Sequence, residues 1–405
     1  MSTTKRKHYF MEHEQMDFET QILLGCCHYG AADAGEILAA VERVPSGDFE
    51  QWYQEWFALG ERMQGIAEQC AASGHFVSAR KTFLRAATYF SASVVFIDGT
   101  KDPSRGVPAW QRHIACWERF CFYLNPPAEK VSIPYEGISM PGYLFLPDQF
   151  GGPWATIIFT NGSDGPTAGM WTSGVAGALE RGYAALVFDG PGQNAMLWLK
   201  NIPFRPDWEK VITPIVDFLL QREDIDPKRI ALSGISQAGY WVLRALAFEH
   251  RIAAGMVDPG VMDVSVTFFR ELPPEMRELL DAGAEKEFNE FMEEGLRQSG
   301  DAVRQNVEWR MKPYLAESYY HLFKKVRQYN ARDVIQQIQC PLFIADPDDE
   351  QFWPGQSQEV YDALVCPKTI VRFTADEGAN WHCEPKARGL YDQRLFDWLA
   401  TVMPK

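Results

Sequence analysis

After Pro127 the chain is punctuated by short, unbroken apolar runs of strand length, at 155–160, 183–189, 230–233, 253–257, 341–345 and 369–373. A strand with one wet face alternates apolar and polar residues, whereas a strand covered on both faces does not. Most of these runs are separated by segments of helical spacing, such as 206–220 and 240–248. That order predicts an α/β fold: a mostly parallel sheet with helices on both faces. Two earlier runs, 131–133 and 142–146, read as an antiparallel pair that ends at Pro147. Residues 264 to about 333 carry no strand signal and are rich in Glu, Arg, Met and aromatics at helical spacing. They predict a helical insertion over the carboxyl edge of the sheet, where open α/β sheets place ligands.

The first 125 residues follow a different rule. Apolar side chains recur at helical spacing through Ile22, Leu23, Ile37, Leu38 and Val41, then Trp52, Trp56, Leu59 and Met63. Further helices fit 83–96 and 110–124, and Asn125-Pro126-Pro127 ends the last one, because proline has no N–H to donate and restricts its predecessor. A helical domain over 1–125 and an α/β domain over 126–405 follow. Trp56, Leu59, Gly60, Ala72, Phe76 and Ala79 match a tetratricopeptide unit. A solenoid needs about three such units to bury a continuous core, so one match predicts a helical hairpin.

Charge and cysteine content narrow the function classes. The net charge of −15 and the lack of a basic patch beyond Lys5-Arg6-Lys7 argue against a nucleic-acid partner. No apolar run reaches the roughly 18 residues of a membrane span, and the polar segment after Lys7 does not read as a secretory leader. The eight cysteines are therefore expected to be reduced thiols in the cytoplasm. No Cys-x-x-Cys pair occurs, and His13-Glu14 lacks the second histidine of a zinc helix, so neither metal nor cofactor is expected. The 13 tryptophans fit a bulky core, and also a pocket for flat apolar ligands.

Chemistry concentrates at Leu232-Ser233-Gly234-Ile235-Ser236-Gln237-Ala238-Gly239. An apolar strand runs into Gly-x-Ser, then into small residues that open a helix. This is the pattern of a nucleophile elbow, a turn so sharp that strand and helix tolerate only small neighbours. A serine hydroxyl needs a base. In folds with such an elbow the acid and the histidine follow the nucleophile along the chain. Three histidines follow Ser236: His250 near a helix end, His321 in the insertion, and His382 in the loop after the last strand. His382 has the expected place. The acid should follow the run that begins at Pro341, where Asp346, Asp348, Asp349 and Glu350 crowd together; Asp258, after the preceding strand, is a further position. Backbone N–H donors for an oxyanion are expected at Gln237 and, in the loop Asn161-Gly162-Ser163-Asp164-Gly165, at Ser163 or Asp164. That loop has no following Lys or Arg, so it does not read as a phosphate loop. Asp189-Gly190-Pro191-Gly192-Gln193 reads as a structural turn.

Together the elbow, the 161–165 loop, the 189–193 turn and the Glu377-Gly378-Ala379…His382-Cys383 segment resemble one branch of the α/β-hydrolases. That branch holds the 2,6-dihydroxypseudooxynicotine hydrolases, the fungal polyketide-shortening pigment hydrolases and the fermentation-respiration switch esterase-like proteins. The resemblance covers most of the chain, though the first 125 residues resemble it only in being helical. It implies a Ser-His-acid triad. In such hydrolases the acid lies four residues before a proline, which here selects Glu350 ahead of Pro354, with Asp349 as the alternative. Two departures stand out: Ala238 replaces a glycine, and Glu350 stands where aspartate is usual.

The resemblance also implies the chemistry. Some members of the branch cleave a carbon–carbon bond next to a carbonyl, and others cleave esters. The aromatic-rich insertion and the N-terminal helices favour a ketone in a bulky aromatic or polyketide-like small molecule. A carboxylesterase or lactonase acting on a bulky ester, and a non-catalytic binding protein on the same fold, are the competing readings. The helical N-terminal domain is expected to act as a cap or a homodimer contact, the latter on the resemblance alone.

Overall fold

A computed structural model describes residues 8–148, 151–299 and 301–404. The basic run Lys5-Arg6-Lys7 lies outside them. The described chain divides into two compact units: 1–127 together with 385–389, and 128–384 together with 390–405.

The first unit is helical. Asp48 accepts a hydrogen bond from the Gln51 N–H and so starts the helix Phe49–Ala72, whose inner face carries Trp52, Trp56, Leu59 and Met63. It pairs with the helix Phe76–Val94, and the two form the hairpin the spacing predicts. Gly60 leaves room for the partner helix: a Cβ there would sit 2.8 Å from the Phe90 ring. The second helix begins seven residues before the expected 83, because Gly74 adopts a left-handed φ of +77° and turns the chain straight into it. The segment 385–389 belongs to this unit, with the Pro385 carbonyl against Gly25 and Gly389 against the His28 ring.

The second unit is built on eight strands: β1 Glu129–Tyr135, β2 Ile138–Phe145, β3 Trp154–Thr160, β4 Ala184–Phe188, β5 Ile225–Ile235, β6 Ala254–Asp258, β7 Leu342–Pro347 and β8 Lys368–Phe373. They form one sheet in the order β1-β2-β4-β3-β5-β6-β7-β8. The pairs β1/β2 and β2/β4 are antiparallel, and the rest are parallel. Every run read from the sequence is a strand. β5 starts five residues earlier than its apolar run, because Ile225 pairs with Trp154 across an irregularity in the β3/β5 ladder. All five residues of β4 are buried, which is why its sequence does not alternate.

Helices Glu209–Leu220 and Ala238–Leu246 pack on the sheet. Val211, Ile212, Ile215, Val216 and Leu219 form the buried stripe of the first, and Trp208 stacks on Trp241 of the second with ring centroids 4.2 Å apart. Between β6 and β7 come helices Pro274–Ala282, Glu285–Ser299, Asp301–Met311 and Tyr319–Val326, as the missing strand signal predicts. Leu280, Phe288, Tyr320 and Phe323 give this insertion a small core of its own. β3, β5, β6, β7 and β8 are consecutive parallel neighbours, so the loops leaving their carboxyl ends fall along one edge.

Candidate active site

Ser236 stands at the end of β5 with φ +60°, a left-handed conformation that a serine holds only when its surroundings force it. The constraints are local. The Ser236 N–H donates to the Asp258 carbonyl at 2.6 Å. A Cβ on Gly234 would lie 2.6 Å from the Ala238 carbonyl oxygen, and one on Gly239 would lie 2.1 Å from the Pro259 carbonyl oxygen. The residue that must be glycine after the nucleophile is therefore Gly239, and the small, fully buried Ala238 fits without it.

His382 and Glu350 reach Ser236 from the loops after β8 and β7. His382 Nε2 is 2.9 Å from Ser236 Oγ, and Nδ1 is 2.8 Å from Glu350 Oε2. An ionised carboxylate only accepts, so Nδ1 carries the proton and Nε2 presents its lone pair to the serine hydroxyl. Glu350 is held by its own turn, with Oε1 accepting from the N–H groups of Phe352 and Trp353. Burial pushes its carboxyl up, but the His382 charge and these hydrogen bonds outweigh that and hold it below its ordinary range. For His382, burial pulls the pKa down, while Glu350 first and then the charges of Asp258 and Asp164 push it up; the net shift is upward. Phe352 and Trp353 pack on the imidazole at ring-centroid distances of 4.7 and 5.8 Å.

The remaining sequence candidates go elsewhere. Asp349 is exposed and its carboxylate accepts from Asn380 at 2.5 Å. Asp348 is exposed and pairs with Arg372, and Asp346 is half-buried on β7. His250 is exposed at its helix end, bonded to the Ala247 carbonyl, and His321 bonds to Ser318. The Asp258 carbonyl, as distinct from its carboxylate, anchors the elbow.

The 161–165 loop lies against the serine. A Cβ on Gly162 would be 2.9 Å from the Ser236 Cβ. Asn161 folds the loop on itself, accepting from the Gly162 N–H at 2.8 Å and donating to the Gly165 carbonyl at 2.6 Å. Among the described residues, the backbone N–H groups of Gln237 and Ser163 are not taken up by a hydrogen bond, whereas that of Asp164 bears on its own carboxylate.

Three contributors were not read from the sequence. Gln193 reaches back from the 189–193 turn and donates to the carbonyls of Asn161 and Gly162 at 2.7 and 2.9 Å, while its own carbonyl accepts from the Gly190 N–H. Asp189, pushed up to about 6 by burial, accepts from Thr167 and Asn194 in the same turn. The turn is structural, as expected, but what it braces is the loop beside the nucleophile. Tyr314, from the insertion, points its hydroxyl at the Gln237 side chain at 3.4 Å. No group of side chains suited to a metal ion occurs, and no helix is long and apolar enough to cross a membrane, among the described residues.

No protein-family model matches the chain. Among curated proteins it is 31% identical over 364 residues to the α/β-hydrolase xenA of Xenoacremonium sinensis, covering 85% of this chain and 83% of that one. It is 30% identical over 407 residues to the hydrolase acrC of Aspergillus aculeatus, covering 94% and 95%. It is 34% identical over 256 residues to the 20-hydroxy-prefusarin hydrolase FUS2 of Gibberella moniliformis, covering 61% of each. Of solved structures, the 2,6-dihydroxy-pseudo-oxynicotine hydrolase superposes with a TM-score of 0.74 at 22% identity over 94% of this chain and 95% of that one. AbyA5 superposes with a TM-score of 0.63 at 14% identity, over 95% of both chains.

Proposed function

The chain belongs to the α/β-hydrolase family, and on that premise we propose that it is a serine hydrolase cleaving a carbon–carbon bond next to a carbonyl in an aromatic or polyketide-like substrate. The observation that carries the serine-hydrolase reading is the unbroken hydrogen-bond relay from Ser236 through His382 to Glu350; the choice of a carbon–carbon bond is supported by the aromatic surroundings described below.

In the proposed reaction His382 takes the hydroxyl proton as Ser236 Oγ adds to the ketone carbon. The N–H groups of Gln237 and of Ser163 or Asp164 receive the resulting oxyanion. The adjacent carbon–carbon bond then breaks, its electron pair leaves as an enolate-type carbanion, and the protonated His382 returns its proton to that carbon. Water, deprotonated by the same imidazole, releases the acyl group from Ser236 as a carboxylic acid. Phe352 and Trp353 beside the imidazole, with Phe268 and Tyr314 from the insertion, supply the aromatic surfaces such a substrate would lie against. The proposed compartment is the cytoplasm, where the eight thiols stay reduced, and the helical unit is proposed as a cap or homodimer contact.

Mass spectrometry of products from matched aryl 1,3-diketones, aryl ketones and aryl esters tests the substrate class. The expected result is a carboxylic acid and a shortened methyl ketone from the diketone, absent with the Ser236 variant. Turnover confined to the esters would replace this reading with the carboxylesterase one.

Gln193→Ala gives a further check. Loosening the carbonyls of Asn161 and Gly162 shifts the loop that holds one oxyanion donor. Because Gln193 acts through that loop, the loss in kcat is expected to be roughly 10- to 100-fold, less than deletion of a donor itself, with KM little changed. A loss confined to KM would place Gln193 on the binding side instead.

A further inference from the structure

The insertion brings one cation close to the relay. Arg310, near the end of helix Asp301–Met311, sets its guanidinium carbon 5.9 Å from the Phe352 ring centre and 6.0 Å from that of Phe268. Phe352 packs on His382, and Phe268 packs on Tyr314, whose hydroxyl points at Gln237. The guanidinium is therefore near two rings, one leading to the base and one to the nucleophile's neighbour.

Its electrostatic surroundings are unequal. Desolvation lowers the pKa of Arg310, with Asp164 and then Tyr314 opposing it. Asp164 is exposed by area, yet desolvation pushes its carboxyl up while Arg310 and His382 draw it down. Around His382 the charged neighbours are the acids Glu350, Asp258 and Asp164. These acids repel an anionic substrate and Arg310 attracts one, so the cation biases how a charged substrate is oriented. A guanidinium has five N–H donors on more than one edge and can serve a second carboxylate while facing a first.

We propose that Arg310 is a specificity-determining residue that receives a carboxylate of the substrate beside Phe268 and Phe352, with Asp164 as its competing counter-ion. This rests on the serine-hydrolase reading and narrows its substrate to an aromatic or polyketide-like keto acid. The uncharged ends of that substrate lie towards Ser236, and the charge selects which carbonyl meets the nucleophile.

The test uses two pairs of aryl esters on the full chain. One pair places the charge on the acyl side, 4-nitrophenyl hemiglutarate against 4-nitrophenyl valerate. The other places it on the leaving group, 4-acetoxybenzoate against phenyl acetate. The wild type is expected to prefer the charged member of one pair by roughly 10- to 100-fold in kcat/KM, the range a charge-assisted hydrogen bond supplies. Arg310→Gln is expected to remove that preference mainly through KM, and Arg310→Lys to restore part of it. Asp164→Asn, which removes the competing carboxylate, is expected to lower KM for the charged ester. A structural tie between the insertion and the 161–165 loop would instead make Arg310→Gln and Asp164→Asn act in the same direction, on charged and neutral esters alike; that result, or no charge preference in the wild type, overturns the inference while leaving the relay standing. Silence on all four esters, with Ser236 unlabelled by a phosphonate, overturns the underlying reading and the inference with it.

Discussion

Ser236→Ala lowers turnover by about 10⁴-fold or more and leaves the fold in place. The size follows from what the hydroxyl does: no other side chain in the relay can form the acyl intermediate, so its loss leaves only the oxyanion donors and binding. The fold survives because the elbow is held by backbone and packing. The Ser236 N–H to Asp258 carbonyl bond and the close approaches at Gly234 and Gly239 do not involve the hydroxyl. Ser236→Gly sharpens the point. A non-glycine residue at φ +60° carries roughly 1–3 kcal/mol of backbone strain, so glycine should be at least as stable as serine there and equally inactive. Product formation and urea unfolding, measured side by side, check both halves. An active Ser236→Ala enzyme would remove the serine from the mechanism.

Glu350→Gln carries the next largest effect, a fall in kcat of about 10³- to 10⁴-fold, and it also moves the pH profile. Burial by itself lowers the pKa of His382, and the Glu350 charge lifts it above the usual histidine value. The imidazole must be neutral to act as a base, so kcat/KM of the wild type rises with pH through that raised pKa. Taking away the carboxylate leaves burial to dominate, and the rising limb moves to lower pH even as its plateau drops. Glutamine can also present its NH₂ to Nδ1, which favours the tautomer that points a proton at Ser236. Asp349→Asn should leave the limb where it is, because that carboxylate is exposed and bonded to Asn380. A limb that moves with Asp349 and stays with Glu350 would reverse the assignment of the acid.

The sheet was legible because strands buried on both faces lose alternation, and that loss is itself visible at 155–160 and 183–189. Ser236 was legible for a similar reason: a sharp strand-to-helix turn demands small residues at fixed offsets. The demand is for smallness where backbones nearly touch, so glycine at 239 and alanine at 238 satisfy it despite departing from the usual pattern. The acid was less legible. Four carboxylates within five positions are alike in sequence. What singles out Glu350 is a turn in which the N–H groups of Phe352 and Trp353 hold one of its oxygens and leave the other to the imidazole. Gln193 gave no signal, because its partners lie 31 and 32 residues away and become neighbours only when the sheet forms. The excursion of 385–389 into the helical unit leaves no trace in periodicity either.

The relay is tested most directly by locating a covalent adduct. Incubation with an aryl fluorophosphonate followed by peptide mass spectrometry should place a single phosphonyl group on Ser236, at a rate that falls in His382→Ala and Glu350→Gln. An enzyme that turns over its substrate while Ser236 stays unmodified, or that carries the adduct on another residue, would contradict the account.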